Sequence, residues 1–207
     1  MLILPLKKSP YDIKKYSIEN QQLREEYCQK INNIPSENIV FIDEVGANLD
    51  LTLPYGRSLK NQRTFDEKPT SKGSRVSMVG ALSESGIKTA LNFEGTMTGL
   101  VFLYFVEHFL CPNLKKGDYV VMDNAPVHKV EGIKALIEKA GATLIYLPPY
   151  SPEFNPIELA WNKIKQFLRK QKARTVDKLY EAYSDALKEI SKEDCDNFVK
   201  HAMSFVI

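Results

Sequence analysis

Three carboxylates stand where folding could bring them together. Asp43 follows the apolar run Ile39–Ile42, and Asp123 follows a second apolar run. Glu158 ends a stretch that contains four prolines. Clustered carboxylates repel one another and persist only where a cation offsets the repulsion. Oxygen ligands select Mg²⁺ or Mn²⁺ over zinc, and two such ions about 3.5–4 Å apart can support phosphoryl transfer. The trio therefore predicts a catalytic site with two Mg²⁺ ions, which Mn²⁺ could replace.

Each of these carboxylates also has an ordinary structural explanation. An aspartate after a strand often forms a turn or caps a helix. Glu158 lies three residues after Asn155 and could be its partner in a capping box. Asn155 is a good N-cap, and Pro156 suits the first helical position. The capping and metal-binding explanations compete for the Glu158 side chain, whereas the Asn155 cap is compatible with both.

Two residues near Asp123 are candidates for supporting roles in the site. Asn124 could orient Asp123 or metal-bound water, and a simple turn role explains it equally well. His128 could contact a phosphate, and a histidine that only caps or hydrogen-bonds its loop explains it equally well. Glu44 should point away from Asp43 because successive strand residues alternate between faces, so we leave it out of the site.

The helix predicted over Pro156–Gln171 has an apolar face and a separate polar flank. At about 100° per residue, the apolar face consists of Ile157, Ala160, Trp161, Ile164, Phe167 and Leu168. The polar flank consists of Glu158, Asn162, Lys165, Arg169 and Lys172. Cations that follow a metal-binding carboxylate along one flank suit a passing phosphodiester backbone. An ordinary solvated face is the alternative, and Trp161 is assigned to core packing.

A second cationic group lies in the loop predicted after the first strand. Its members that we assign to DNA binding are Arg57, Lys60 and Arg63. Acidic residues further along the same loop dilute the positive charge, so a loop that serves solubility is the competing explanation.

The order of predicted elements places these residues on a mixed sheet. The elements are a strand over Ile39–Ile42, a hairpin over 75–93, a helix from Thr96 or Thr98 to Leu110, a strand over Tyr119–Met122, a helix over Lys129–Ala140, a strand over Thr143–Leu147, and three helices over Pro156–Gln171, Thr175–Ile190 and Lys192–Phe205. An early hairpin followed by strands that alternate with helices predicts an α/β fold with helices flanking the sheet. Ligands in such folds lie at the carboxyl ends of the parallel strands. Residues 45–63 are predicted as loop.

We divide the chain into three parts. Residues 1–36 are predicted as a linker and surface helix, 37–174 as the catalytic domain, and 175–207 as a C-terminal helical extension packed on that domain. The chain has 207 residues, of which 43% are hydrophobic, and this suits one compact domain with a small appendage.

Composition excludes several classes of protein. The net charge of +2 is too small to indicate nucleic acid without a local concentration of cations. The three cysteines are widely spaced and fit neither a disulfide framework nor a metal finger, which favours a reducing compartment. No apolar run approaches the roughly 18 residues of a membrane span, and the apolar run at the start of the sequence is too short for the apolar region of a signal peptide. We expect a cytoplasmic protein without a membrane partner.

Three blocks of the sequence resemble the catalytic blocks of mariner-like insertion-sequence transposases, which belong to the DDE superfamily of endonucleases. The blocks are Phe41–Glu44, Val121–Asn124 and Leu147–Glu158. Thirty-four residues separate Asp123 from Glu158, a spacing typical of that group. The likeness runs from about residue 35 to residue 202. The loop at 55–63 is also similar, although the family more often has tryptophan at position 57 and glycine at position 61.

The resemblance implies an RNase H-like fold and a reaction. Members of the family hydrolyse DNA at transposon ends with Mg²⁺, and the freed 3′-OH then attacks target DNA. Asp43 and Asp123 would hold the metals, with Asp43 a candidate to bridge both, and Glu158 would complete the site. The partners implied are double-stranded DNA and a second copy of the chain in a homodimer, in a nucleoid-associated cytoplasmic setting.

One departure from the family leaves alternatives open. The family usually carries an N-terminal helix-turn-helix region, and only about 36 residues precede the first strand here. We therefore expect a separate helix-turn-helix subunit or the product of an upstream reading frame as a partner. A catalytically inactive DNA-binding or assembly partner of a full-length transposase is one alternative, against which the carboxylate trio argues. An RNase H-like nuclease for RNA–DNA hybrids or Holliday junctions is another, and the proline-rich block argues against it.

Overall fold

Five strands form one mixed sheet in the computed structural model, which describes residues 17–206. They are β1 (Ile39–Asn48), β2 (Arg75–Ser83), β3 (Gly86–Glu94), β4 (Tyr119–Met122) and β5 (Thr143–Tyr146). Their spatial order is β3-β2-β1-β4-β5. β1, β2 and β3 pair antiparallel, whereas β4 lies parallel to both β1 and β5. The predicted mixed sheet is therefore present.

Six α-helices flank the sheet in the described part of the chain. They are α1 (Ile18–Ile31), α2 (Gly99–Phe105), α3 (Ile133–Lys139), α4 (Ile157–Gln171), α5 (Val176–Lys188) and α6 (Lys192–Met203). Helix α2 continues as a π-helical turn over Val106–Leu110. Thr98 caps α2, because its side-chain oxygen accepts a hydrogen bond from the Val101 N–H at 3.3 Å. No described helix has the length and apolar character needed to cross a membrane.

Two predicted boundaries are wrong. β1 does not end at Asp43 but runs on to Asn48, because β2 pairs with it from Phe41 to Asn48. The parallel partner β4 pairs with β1 only as far as Phe41, so Asp43 lies just beyond the parallel part of the sheet. The helix predicted from Lys129 begins only at Ile133, because a 3₁₀ turn and a left-handed Gly132 precede it.

Both faces of the sheet are covered, and alternate residues of β1 supply the two cores. Phe41 and Val45 lie in a core shared with α1, α4, α5 and α6. Ile42 lies in a second core shared with α2 and α3. Coverage of both faces explains why the central strands are almost continuously apolar.

The helices at the two ends of the chain belong to the larger core. Tyr27 and Ile31 bring α1 into it, and Tyr183 brings α5 into it. The buried Tyr183 hydroxyl donates a hydrogen bond to the Val76 carbonyl of β2 at 3.2 Å. The boundaries proposed at residues 37 and 174 thus cut through shared packing and stay a prediction. The part of the linker before residue 17 lies outside the described residues.

Candidate active site

A cavity of about 430 Å³ lies at the edge of the sheet where β4 and β5 end. It is lined by Asp43, Asp123, Asn124, Ala125, Leu147, Pro148, Pro149, Tyr150, Ser151, Pro152, Asn155 and Glu158. The three predicted carboxylates, contributed by β1, the end of β4 and α4, therefore line one cavity together with Asn124.

Asp43 is held by the helix that packs over β1. The Trp161 indole Nε1–H of α4 donates a hydrogen bond to Asp43 Oδ2 at 3.1 Å. Desolvation by burial, and then the nearby carboxylate of Glu158, raise the pKa of Asp43 to about 8. In the absence of a cation, Asp43 thus retains its proton at neutral pH.

Gly80 makes room for this hydrogen bond. It is the β2 residue directly opposite Asp43. A Cβ at position 80 would lie 2.8 Å from Cη2 of Trp161, closer than two carbon atoms can approach. The indole ring can therefore pack against β2 next to Asp43 only because residue 80 has no side chain. Trp161 was predicted from the sequence to pack in the core, and its burial confirms this prediction. Its hydrogen bond to Asp43 was not predicted.

Asp123 is held by its own loop. Its Oδ1 accepts a hydrogen bond from the Ala125 N–H at 2.9 Å and lies 2.6 Å from His128 Nδ1. Burial acts to raise the pKa of Asp123, but the contacts with His128 and Ala125 outweigh it and hold the pKa below its usual range. Asp123 is therefore ionised where Asp43 is not.

His128 lies behind the cavity, between two carboxylates. Its side chain is completely buried, with Nδ1 at Asp123 and Nε2 at 3.1 Å from Glu44 Oε2. The Phe102 ring centre lies 4.3 Å from the imidazole ring centre. Burial acts to lower the pKa of His128, but hydrogen bonds to Asp123 and Glu44 raise it to about 10. His128 is a cation that orients Asp123, and it does not line the cavity.

Glu44 is the residue that sequence reasoning missed. It does point away from Asp43, as predicted from strand alternation. The opposite face of the sheet is where His128 lies, 84 residues further along the chain. In the sequence, the position of His128 shortly after Asp123 indicated a contact between those two residues. Nothing in the sequence indicated that Glu44 is the second partner of His128.

The start of α4 differs from the prediction. The Asn155 side chain makes no capping hydrogen bond, and its Oδ1 is buried without a partner among the described residues. The backbone alone closes the first turn, with the Glu158 N–H donating to the Asn155 carbonyl at 3.3 Å. No capping box therefore occupies the Glu158 carboxylate, which is left facing the cavity.

The chemistry of these side chains suits a hard divalent cation. The cavity offers carboxylate oxygens and the amides of Asn124 and Asn155, which are ligands that Mg²⁺ and Mn²⁺ accept. Across residues 17–206, however, no three His, Cys, Asp or Glu side chains are close enough together to bind one ion jointly. The carboxylates thus fit a cation in kind but would have to draw together around it.

The predicted cationic residues belong to two segments of the chain, α4 and the loop between β1 and β2. On α4, Asn162 is exposed, and Lys165 and Arg169 are partly exposed without an ion pair to any described carboxylate. Lys172 ends the helix in a left-handed conformation and forms an ion pair with Asp66. Arg57, Lys60 and Arg63 are exposed in the long loop between β1 and β2. The ion pair between Lys172 and Asp66 links the end of α4 to this loop.

Comparison with known proteins identifies relatives of this chain. Residues 38–180 match the family model described as DDE superfamily endonuclease. The chain is 26% identical over 128 residues to the transposable element Tcb1 transposase of Caenorhabditis briggsae, covering 59% of this chain and 47% of that protein. It thus spans about half the length of the curated relative that it matches.

Solved structures share the fold. A paired-end complex of Mos1 transposase with the left transposon end superimposes with a TM-score of 0.79 at 13% identity, over 100% of this chain and 65% of that chain. The crystal structure of the catalytic domain of Mos1 mariner transposase gives a TM-score of 0.66 at 11% identity, over 99% of this chain and 94% of that chain. The predicted RNase H-like fold is confirmed by these matches.

Proposed function

Because the chain belongs to the DDE superfamily endonuclease family, we propose that it is the catalytic part of a transposase. Its reaction is divalent-metal-dependent cleavage of DNA at transposon ends, followed by transfer of the freed strand into target DNA. Asp43, Asp123 and Glu158 are the catalytic metal ligands, with Mg²⁺ as the ion, Mn²⁺ as its substitute and two ions per site.

The observation that carries this proposal is the shared cavity of the three carboxylates. They come from three separate elements and line one cavity that is open to solvent. The raised pKa of Asp43 reflects burial next to other carboxylates, a cost that a bound cation would remove. Solved Mos1 complexes with Mn and with Mg have the same fold, and these ions support the choice of cation.

Each residue of the site has a defined task in this reaction. When bound, divalent cations would activate the attacking oxygen and stabilise the leaving oxygen of the phosphodiester. Trp161 fixes one oxygen of Asp43, and His128 with the Ala125 N–H fixes one oxygen of Asp123. Both aspartates line the cavity. Asn124 is a supporting residue at the cavity wall.

The macromolecular partners follow from the same proposal. Double-stranded DNA would lie along the flank of α4 formed by Asn162, Lys165, Arg169 and Lys172, with further contacts from Arg57, Lys60 and Arg63. A homodimer, a separate helix-turn-helix subunit or upstream reading-frame product, and a nucleoid-associated cytoplasmic location complete the proposal.

A cleavage assay with a single conservative change tests this function. Wild-type protein should nick DNA carrying the transposon end in Mg²⁺ or Mn²⁺, and Asp123→Asn should lower the rate by at least about a thousandfold because one metal ligand is lost. The matched control is Lys139→Ala, an exposed residue of α3 on the other side of the sheet, which should cleave like wild type. Equal cleavage by wild type and Asp123→Asn would overturn the assignment of the site. No cleavage by any of the three would favour the inactive-partner alternative.

A further inference from the structure

Helix α1 contacts the loop that forms one wall of the cavity through two of its side chains. Arg24 donates a hydrogen bond from Nη1 to Ser151 Oγ at 2.5 Å and from Nη2 to Glu153 Oε1 at 2.9 Å. Its guanidinium also lies 4.4 Å from the ring centre of Phe154. One turn further along α1, Tyr27 stacks on the same ring with a centre-to-centre distance of 5.2 Å. We name these contacts of Arg24 and Tyr27 the α1 clasp.

The clasp reaches the cavity through Ser151. The Ser151 hydroxyl accepts from Arg24 and in turn donates to the Pro149 carbonyl at 3.1 Å. Pro149, Ser151 and Asn155 all line the cavity that holds the three carboxylates. An arginine outside the cavity thus determines the direction of a hydroxyl in its wall and the position of the backbone next to it.

The loop needs such support because its backbone is strained. Tyr150 has a φ of 56°, in the left-handed region that is unfavourable for a residue with a side chain other than Asn or Asp. Strained residues of this kind persist where their surroundings hold them. The Ser151–Pro149 hydrogen bond spans Tyr150, so the clasp stabilises the strained turn itself.

The arrangement of the groups around Arg24 suits a planar side chain. Two N–H donors of one guanidinium bind two different side chains while its face rests on an aromatic ring. A lysine can satisfy only part of this arrangement, because its ammonium is a point charge without a flat face. The Arg24 side chain is 22% exposed, so the ion pair with Glu153 is partly shielded from water.

We propose that Arg24 is a positioning residue for the catalytic site, which it serves by fixing the wall formed by residues 149–155. Arg24 lies in α1, outside residues 38–180 that match the endonuclease family model. The inference rests on the proposed function for its effect on cleavage, while its effect on the loop can be measured without any substrate.

Hydrogen exchange and cleavage kinetics on the full chain test this role. The variants are Arg24→Ala, Arg24→Lys and Ser151→Ala, with Lys139→Ala as the control that removes one positive charge elsewhere. The reporters are the Phe154 and Asn155 amides, which donate to the Ser151 and Pro152 carbonyls at 3.1 and 3.0 Å. Arg24→Ala and Ser151→Ala should exchange at these amides about tenfold faster than wild type, Arg24→Lys should lie between, and Lys139→Ala should not change.

The same variants separate positioning from loss of folding. In the cleavage assay, Arg24→Ala should lower kcat about tenfold or more with KM for DNA within about twofold, because the groups of the site are displaced while the DNA contacts remain. Arg24→Lys should restore part of kcat. Exchange and kcat equal to wild type in Arg24→Ala would overturn the proposal, as would faster exchange spread evenly over the whole chain. If wild type does not cleave, the proposed function fails and the exchange result alone decides the role of Arg24.

Discussion

Asp43 and Asp123 are both held by a side-chain N–H donor, but the two donors differ. In each, a side-chain N–H donor holds one carboxylate oxygen. The donor at Asp43 is the neutral indole of Trp161, whereas the donor at Asp123 is the cationic imidazole of His128. Burial and then the nearby Glu158 raise the pKa of Asp43, whereas at Asp123 the contacts with His128 and Ala125 outweigh burial and lower the pKa.

The role of the indole N–H can be tested with Trp161→Phe. Phenylalanine keeps an aromatic ring in the core but removes the donor to Asp43 together with part of the buried indole, so some core packing is lost as well. We expect the protein to remain folded and cleavage to fall about ten- to a hundredfold, because a hydrogen bond to the Asp43 carboxylate, which would be charged with a cation bound, contributes roughly 1.5–3 kcal/mol. The measurement is single-turnover cleavage with thermal unfolding of the same samples.

Gly80→Ala supplies the matched test of the same contact. It keeps the indole but places a Cβ 2.8 Å from its Cη2, so the ring and its N–H must shift. Its cleavage defect should resemble that of Trp161→Phe. Wild-type cleavage by Trp161→Phe would show that the hydrogen bond has no role in the reaction.

At the scale of elements, α4 joins the core to the site. Five members of the apolar face that the sequence period predicted are buried, and the sixth, Phe167, is partly buried; the five are Ile157, Ala160, Trp161, Ile164 and Leu168. With this face fixed against β1, Glu158 must point towards the cavity and Lys165 and Arg169 must lie along the adjacent flank. The placement of the carboxylate and the cations thus follows from one helical phase.

The contribution of this flank to DNA binding can be measured by its salt dependence. The double variant Lys165→Ala, Arg169→Ala should bind DNA more weakly and reduce the slope of log K against log salt by about 2, because each phosphate contact contributes about 0.9. The control is Lys134→Ala, Lys139→Ala on α3, which lies on the other side of the sheet. If both doubles change the slope equally, the flank of α4 is not a phosphate-binding surface.

Local patterns in the sequence identified some elements fully and others only in part. The period of α4 and the apolar run of β4 are local, and they predicted burial correctly, whereas in β5 only Ile145 is buried. The second half of β1 was predicted as part of a loop over residues 45–63 because that segment contains Pro54, Gly56 and scattered cations. It is a strand because Arg75–Val79, far along the chain, pairs with it. Pairings across such separations are not visible in local composition.

The site shows the same limit. The shared cavity of Asp43, Asp123 and Glu158 was expected from two strand ends and the phase of α4, but only the strand end before Asp123 is present, since β1 continues past Asp43. The contacts that hold them could not be predicted, because Trp161 reaches Asp43 across 118 residues and His128 reaches Glu44 across 84. The carboxylates that line the cavity could thus be named from the sequence, whereas their contacts with Trp161 and His128 are visible only in the folded structure.

For the whole molecule, the carboxylate cluster costs stability that a cation would restore. The pKa of Asp43 is raised from 3.8 to about 8, so the folded state holds this proton more tightly than the unfolded chain. The stability from this group is fully present below about pH 4 and is lost as the pH rises towards about 8. Asp43→Asn should therefore be more stable than wild type at about pH 8.5 without divalent cations.

The measurement that tests the central claim most directly is thermal unfolding of wild type and Asp123→Asn at about pH 8.5, with and without Mg²⁺ or Mn²⁺. A cation at about 100 times its dissociation constant stabilises the folded state by about 2.7 kcal/mol, or about 5–10 °C for a chain of this length. We predict this rise for wild type and for Lys139→Ala, and little or none for Asp123→Asn. Equal shifts in wild type and Asp123→Asn, or no shift in any of them, would contradict a cation site formed by Asp43, Asp123 and Glu158.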